Sequence, residues 1–240
     1  MIYVLRFSAV VALTVAFGTL ATLFGVVDRS ERGIEWVAHT WIHWVLRVCG
    51  VSVEATGLEH IRPDQPAVFM SNHQSHFDVA AIVETLPVPW RFVAKRELVR
   101  VPFFGWGLAL GGHVIIDRSD HDQAVRSLEA AADRIRGGTN VIIFPEGTRS
   151  ESGELQEFKS GGFHLAVQAG VPIIPVSVSG SRHITPKRSL KIRGGRVSVV
   201  YGKPIPTAGR ASEDREALKA EVRRAIAEGL QDASGPSPLS

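Results

Sequence analysis

From Phe7 to Val27 the chain runs 21 residues without a charge, and this stretch limits the possible fold more than any other. A helix of that length rises about 30 Å, the thickness of a bilayer's hydrocarbon core, with its backbone polar groups satisfied internally. Ser8, Thr14, Gly18, Thr19, Thr22 and Gly25 dilute the run, so the expectation is a retained anchor of moderate hydrophobicity. A secretory signal is the competing reading. The single Arg6 and the lack of a clean small-x-small site before Asp28 argue against it.

The next segment, Ile34 to Gly50, has a different character. Glu35, His39, His43 and Arg47 recur every four residues as one polar stripe. Ile34, Val37, Trp41, Val45 and Val48 form the opposite face, with Trp36 and Trp44 at its borders. This is the pattern of an amphipathic helix at a membrane–water interface. His39 and His43 could share a metal ion, but no third ligand is near, so a solvated stripe is expected. Residues 1–50 therefore read as a helical hairpin that anchors the rest of the chain to a membrane. Lys and Arg on its flanks are too balanced to set an orientation.

From Val51 onward, short apolar runs alternate with helical patterns. Strands are expected at Val51–Glu54, Ala67–Ser71, Arg91–Ala94, His113–Ile116, Asn140–Phe144 and Ile173–Val178. Leu190–Arg193 and Arg196–Tyr201, around Gly194-Gly195, read as a hairpin. Ser119 to Asp122 offers an N-cap for a helix whose Ala124, Val125, Leu128, Ala131, Ala132 and Ile135 share one face and which stops at Gly137. Another helix spans Gly162–Gln168, and Ser212 caps a last one carrying Leu218, Val222, Ile226 and Leu230. The fold class is α/β: one domain over residues 51–231, its central mixed β-sheet flanked by helices. Residues 232–240, rich in Ser and Pro, read as a disordered tail.

The 240 residues contain one cysteine and carry a formal net charge of +3. A single Cys49 excludes an internal disulfide framework, and with no His-Glu-x-x-His grouping no metal site is expected. Charge is distributed more tellingly. Between Phe158 and Ser212 there is no acid, while Lys159, Arg182, Lys187, Arg188, Lys191, Arg193, Arg196, Lys203 and Arg210 all fall there. Such a stretch suits phosphate, on a nucleic acid, an anionic bilayer or a small molecule. A merely solvated basic face is the plain alternative.

Candidate chemistry lies just beyond three of the expected strands. Ala67–Ser71 leads into Asn72-His73-Gln74-Ser75-His76-Phe77-Asp78, which puts His73 at a strand-to-helix handover with Asp78 five residues on. A histidine held by a carboxylate is a general base suited to neutral pH. Ser75 and Asp78 equally have the spacing of a capping box, so Asp78 could serve only to close a helix start. Ile115-Ile116-Asp117-Arg118 places an arginine after a strand. Phe144-Pro145-Glu146-Gly147-Thr148-Arg149-Ser150 does the same with Glu146 and Arg149 on a turn. In open α/β sheets, ligands bind beyond the carboxyl ends of the strands. Parallel strands would bring His73, Arg118, Glu146 and Arg149 to one crevice, where arginine forks suit phosphate oxygens.

Together these stretches resemble the blocks of the glycerolipid acyltransferase superfamily. Asn72-His73-Gln74-Ser75-x-x-Asp78 is similar to its N-H-x-S-x-x-D block and Phe144–Ser150 to its F-P-E-G-T-R-S block. Val171-Pro172-Ile173-Ile174-Pro175-Val176 resembles its last block. The block before Arg118 has Ile115 where an aromatic is usual. The resemblance covers roughly residues 51–205 and is greatest to the 1-acylglycerol-3-phosphate acyltransferases. It implies that His73, oriented by Asp78, deprotonates the free hydroxyl of lysophosphatidic acid, which attacks acyl-CoA or an acylated carrier protein to give phosphatidic acid. It places Asn72, Ser75, Lys95, Arg118, Glu146, Gly147, Thr148 and Arg149 around the substrates. Asn72 would fix the turn, and Ser75 would cap a helix rather than act as nucleophile. Lys95, Arg118 and Arg149 would hold phosphate, and Glu146 would orient the acceptor or Arg149. No cofactor is implied beyond the acyl donor, and no nucleic acid. The partner surface is membrane lipid, with the catalytic domain on the cytoplasmic face. The competing readings are the same chemistry on another lysolipid or on glycerol 3-phosphate, a thioesterase, and a non-catalytic module binding anionic lipid.

Overall fold

The computed structural model describes residues 1–27, 31–117, 121–210 and 214–232. Short apolar runs build one seven-stranded sheet: β1 (Val51–Thr56), β2 (Val68–Ser71), β3 (Trp90–Lys95), β4 (Val114–Ile116), β5 (Asn140–Ile143), β6 (Ile173–Ser179) and β7 (Gly195–Tyr201), in the order β1-β7-β6-β2-β5-β3-β4. All neighbouring pairs are parallel except β6 with β7. Strands β2, β3, β4, β5 and β6 therefore end on one edge, and that edge carries the site.

The sheet is covered on both faces, as parallel strands require. Alternate side chains divide between two cores: Phe69 of β2 and Ile142 of β5 face one layer, Val68, Met70, Val141 and Ile143 the other. The first layer contains helix α2 (Glu31–Cys49), through Ile42, Val45, Leu46 and Cys49, and helix α3 (His76–Thr85), through Phe77, Ala80, Ala81, Ile82 and Val83. The opposite layer comprises α5 (His121–Arg136), α6 (Gly161–Ala169) and α8 (Arg215–Asp232). Ala131, Ala132 and Ile135 of α5 are fully buried there, as their shared face predicts.

Helix α1 (Ile2–Val27) stands apart. It is long and apolar enough to cross a membrane, with a mean hydropathy of 2.2 over its most apolar window, of which 6% is buried. It packs along α2 and against the short helix α4 (Phe104–Leu110). Gly18 and Gly25 let α4 come close, since a Cβ at Gly18 would lie 2.7 Å from Phe103 and one at Gly25 2.8 Å from Leu110. The glycines that dilute the apolar run thus have a packing role.

Three expectations change. No hairpin forms at Gly194-Gly195. Residues 190–194 are not a strand, and β7 reaches its antiparallel partner β6 through the helical turn α7 (Ser181–Ile184) and a long connection. The polar stripe of α2 is not wholly solvated: Glu35 Oε2 pairs with the buried Arg91 at 2.9 Å and His43 Nδ1 with Glu84 at 2.8 Å, which pins the helix to β3 and α3. Third, the cations between Phe158 and Ser212 are isolated from acids only in sequence. Glu151 approaches Lys187 and Arg188, Glu54 approaches Arg196, and Glu221 approaches Arg210. The cap expected at Ser119 and Asp120, the Ser212 cap and residues 233–240 of the tail lie outside the described residues, while Asp232 closes α8.

Where β2 turns away from β6, Asn72 continues the ladder with its side chain. Its Nδ2 donates to the Val178 carbonyl and its Oδ1 accepts from the Val178 N–H, both at 2.8 Å and fully buried. An Asn72→Ala variant would strand two buried backbone groups, at a cost of about 1–3 kcal/mol for each. Thermal unfolding in detergent should show a clearly lower midpoint, and an unchanged midpoint would contradict this role.

Candidate active site

Helix α3 starts with a complete capping box. Ser75 is its N-cap, with an extended backbone, and its Oγ accepts from Phe77 N at 3.3 Å. Asp78 closes the box from the third helical position, its Oδ2 accepting from Ser75 N at 2.8 Å. The same oxygen accepts from Gln74 N at 2.6 Å and pairs with His73 Nδ1 at 2.8 Å. The two readings of Asp78 left open by the sequence, helix cap and histidine partner, are thus met by one fully buried atom. A carboxylate accepts only, so Nδ1 carries the shared proton. Nε2 is left with its lone pair, the tautomer a general base needs.

The imidazole is fixed from the other side by a ring. Phe144 stacks on His73 with centroids 4.1 Å apart and an interplanar angle of 24°, and Phe92 continues the column beyond it at 6.4 Å. The turn after β5 also holds the His73 backbone at both ends. Glu146 Oε1 accepts from His73 N at 2.8 Å, and Ser150 N donates to His73 O at 2.7 Å. Glu146 is itself buried and anchored through Oε2 by the N–H and Nε2 of Gln156, at 3.2 and 3.0 Å. Gln156 also donates to the Thr148 carbonyl. From α8, Arg223 donates to the carbonyls of Leu155 and Gln156 and lies over the Phe158 ring.

His73 and Asp78 are therefore together, and Glu146 reaches them through the His73 backbone rather than through Arg149. Asn72 and Ser75, expected around the substrates, are fully buried. Asn72 is committed to β6, and the Ser75 hydroxyl donates to the Thr185 carbonyl at 2.9 Å, so neither offers a free polar group. Gly147 lines the adjacent cavity with φ +73°, and Thr148 is exposed. Lys95, at the end of β3, lines the cavity too, with its Nζ 2.8 Å from Glu97. Arg149 is half-buried and makes no side-chain hydrogen bond or ion pair among the described residues; burial lowers its pKa, opposed by the Asp78 charge. Arg118 lies outside the described residues. Sequence reasoning missed Phe144 as a stacking partner, although it lies inside a recognised block. It also missed Gln156 and Arg223, which no local pattern marks.

His73 opens on a cavity of about 480 Å³, within the range of small-ligand sites, roughly 300–1,000 Å³. Its walls are mostly apolar and come from segments far apart in sequence: Phe7 and Val10 of α1, Trp41 and Val45 of α2, Phe92 of β3, Phe104 of α4, and Leu190. A base at the end of an apolar slot, with Lys95 at its wall and Arg149 close enough to act on Asp78 and His76, can deprotonate a hydroxyl belonging to an amphiphilic anion.

His76 shares this wall. Desolvation, with Arg149 and His73 nearby, pushes its pKa down to about 4 against the pull of Asp78. Its folded pKa is below the usual histidine value of about 6.5, so the unfolded chain binds more protons between these limits. His76 is nevertheless exposed to solvent, which screens the effect, so stability should fall only slightly as pH drops from about 6.5 towards 4 and owe nothing to His76 above that window. Ring chemical shifts should show His76 neutral at pH 5.5, and a His76→Gln variant should flatten the stability slope. An ordinary titration near 6.5 would refute the assignment.

Comparison with known proteins agrees with this geometry. The Acyltransferase family model matches residues 52–179. The 1-acyl-sn-glycerol-3-phosphate acyltransferase alpha of Homo sapiens is 38% identical over 178 residues, which is 74% of this chain and 63% of the human protein. The Ovis aries protein of that name is matched over 62% of its length, so the chain spans under two thirds of these mammalian relatives. The 1-acyl-sn-glycerol-3-phosphate acyltransferase of Pseudomonas aeruginosa is 33% identical over 234 residues, covering 92% of this chain and 90% of that one. The crystal structure of the 1-acyl-sn-glycerophosphate (LPA) acyltransferase from Thermotoga maritima superposes with a TM-score of 0.84 at 26% identity, over 98% of this chain and 96% of that one. With a family match across the strands that carry His73, Asp78 and the Glu146 turn, the chain belongs to the acyltransferase family.

Proposed function

We propose that this protein transfers an acyl chain from acyl-CoA or an acylated carrier protein to the free hydroxyl of 1-acylglycerol 3-phosphate, producing phosphatidic acid. The observation that carries the reading is the His73–Asp78 pair at 2.8 Å, opening on an apolar cavity of about 480 Å³. Support comes also from relatives named for this activity that align with nearly the whole chain.

In this mechanism His73 Nε2 takes the hydroxyl proton as the oxygen attacks the thioester carbonyl, forming the new C–O bond. Collapse of the tetrahedral intermediate breaks the C–S bond, and the proton passes from His73 to the departing sulfur. Asp78 stays ionised and holds the imidazolium. Ser75 takes no covalent part, because its hydroxyl is committed to the Thr185 carbonyl. Arg149 is the described cation best suited to the acceptor's phosphate, since it has no partner of its own there, and we assign Arg118 the same role by resemblance. The cavity accepts hydrocarbon. We further propose that α1 and the exposed Trp36 and Trp44 of α2 seat the protein on the cytoplasmic face of a membrane, where the lipid substrate resides.

The test is incubation with labelled acyl-CoA and lysophosphatidic acid, followed by lipid separation. Label should appear in phosphatidic acid. His73→Ala should lower turnover by about 10²- to 10⁴-fold, the usual contribution of a positioned base. Label in free fatty acid without a lipid acceptor would favour a thioesterase instead. Losing a charge-assisted phosphate contact worth about 1.5–3 kcal/mol should raise the acceptor's KM in Arg149→Ala by roughly 10- to 100-fold. The acyl donor's KM should stay near its original value, and a selective rise in the donor's KM would reassign Arg149.

A further inference from the structure

The connection between α7 and β7 carries the sequence Lys187-Arg188-Ser189-Leu190-Lys191-Ile192-Arg193. It interleaves four cations with two aliphatic residues, and the described residues treat them differently. Lys187 and Arg188 both lie near Glu151, at 3.2 and 3.5 Å. Lys191 and Arg193 are exposed and make no side-chain ion pair or hydrogen bond among the described residues. Ile192 is buried, while Leu190 stands 71% exposed between the cations. An isolated exposed leucine needs no explanation. One flanked by unpaired cations and joined to an apolar surface has the pattern of an interfacial contact.

The segment is joined to such a surface. Arg6 of α1 donates to the Ile192 carbonyl at 3.4 Å, and Gly195 N donates to the Gly50 carbonyl just after α2. Leu190 and Ile192 line the same cavity as Phe7 and Val10. The neighbouring end of α1 leaves Ile2, Val4 and Leu5 more than half exposed. The loop therefore extends the outer apolar face of α1 and adds cations beside it: α1 contains only Arg6, which is turned towards Ile192, while Arg32 and Arg47 of α2 are exposed on that helix.

We propose that residues 187–193 form a second membrane contact that selects anionic lipid, with Lys191 and Arg193 reading headgroup charge and Leu190 entering the interface. The N-terminal helices supply apolar attachment to any bilayer, and this loop adds to the preference for charge. The inference rests on the protein being membrane-bound but not on its chemistry. A Lys or Arg close to an anionic surface is worth about fivefold in partitioning, so the two unpaired cations together should give roughly a 25-fold preference.

The full chain, diluted from detergent, would be offered equal amounts of neutral phosphatidylcholine vesicles and vesicles with one fifth phosphatidylglycerol, each with its own fluorophore, and separated by flotation. The wild-type protein should collect on the anionic population at low salt and spread towards even distribution at 0.5 M salt. The double variant Lys191→Gln/Arg193→Gln should lose most of the preference, keep total vesicle binding and keep the wild-type unfolding midpoint. A variant distribution equal to wild type would overturn the proposal. So would an unchanged distribution with a raised acyl-CoA KM, which would assign these cations to the donor's phosphates. Failure of the wild type to float with either population would remove both this inference and the membrane reading, leaving the acyl-transfer assay to stand on its own.

Discussion

One buried oxygen, Asp78 Oδ2, organises this protein. It collects the N–H groups of Gln74 and Ser75 and the His73 imidazole within 2.6–2.8 Å. A carboxylate taken from water is costly unless donors surround it, and removing a partner from such a buried network typically costs about 3–5 kcal/mol. Here the start of α3 supplies those donors to Oδ2 alone, since Oδ1 is buried without a hydrogen-bond partner among the described residues, and the N-terminal end of a helix is itself favourable to negative charge. Helix capping and imidazole orientation are thus a single interaction, and the ring is tied to the helix that holds its partner.

The sheet turns that local arrangement into a site. Because β2, β3 and β5 are parallel neighbours, the His73 loop, Lys95 and the Glu146 turn emerge at one edge. Asn72 prevents the loop from fraying off β6, and Glu146 and Ser150 clamp the His73 backbone. The strand ends alone would leave a shallow crevice. It is α1, α2 and α4 that roof it with Phe7, Trp41 and Phe104 into an apolar cavity. The segment expected only to hold the protein at a bilayer therefore also forms part of the cavity wall.

How much of this could be read from the chain depended on distance in sequence. The strands were legible because runs such as Val141–Ile143 are apolar on both faces, as buried parallel strands must be. The stripe of α5 was legible because its period is helical. His73 with Asp78, and Ser75 as cap, follow from short spacings within one block. The strand pairing around Gly194 was not legible: two glycines between apolar residues suggest a hairpin, but β7 is drawn to the free edge of β6 and to β1 instead. The environment of Glu35 and His43 was hidden as well, since their partners Arg91 and Glu84 lie more than 40 residues away. The support from Gln156 and Arg223 is likewise a tertiary arrangement with no local signature.

That last arrangement bears on how the protein comes into being. The loop that braces Glu146 is clasped by Arg223 of α8, far along the chain from α1. During synthesis α1 leaves the ribosome well before α8 exists. Until α8 is released, the Glu146 turn lacks its outer brace, and the backbone of His73 has a less firmly held partner. The surroundings of His73 are therefore completed only when the last described helix has joined the fold.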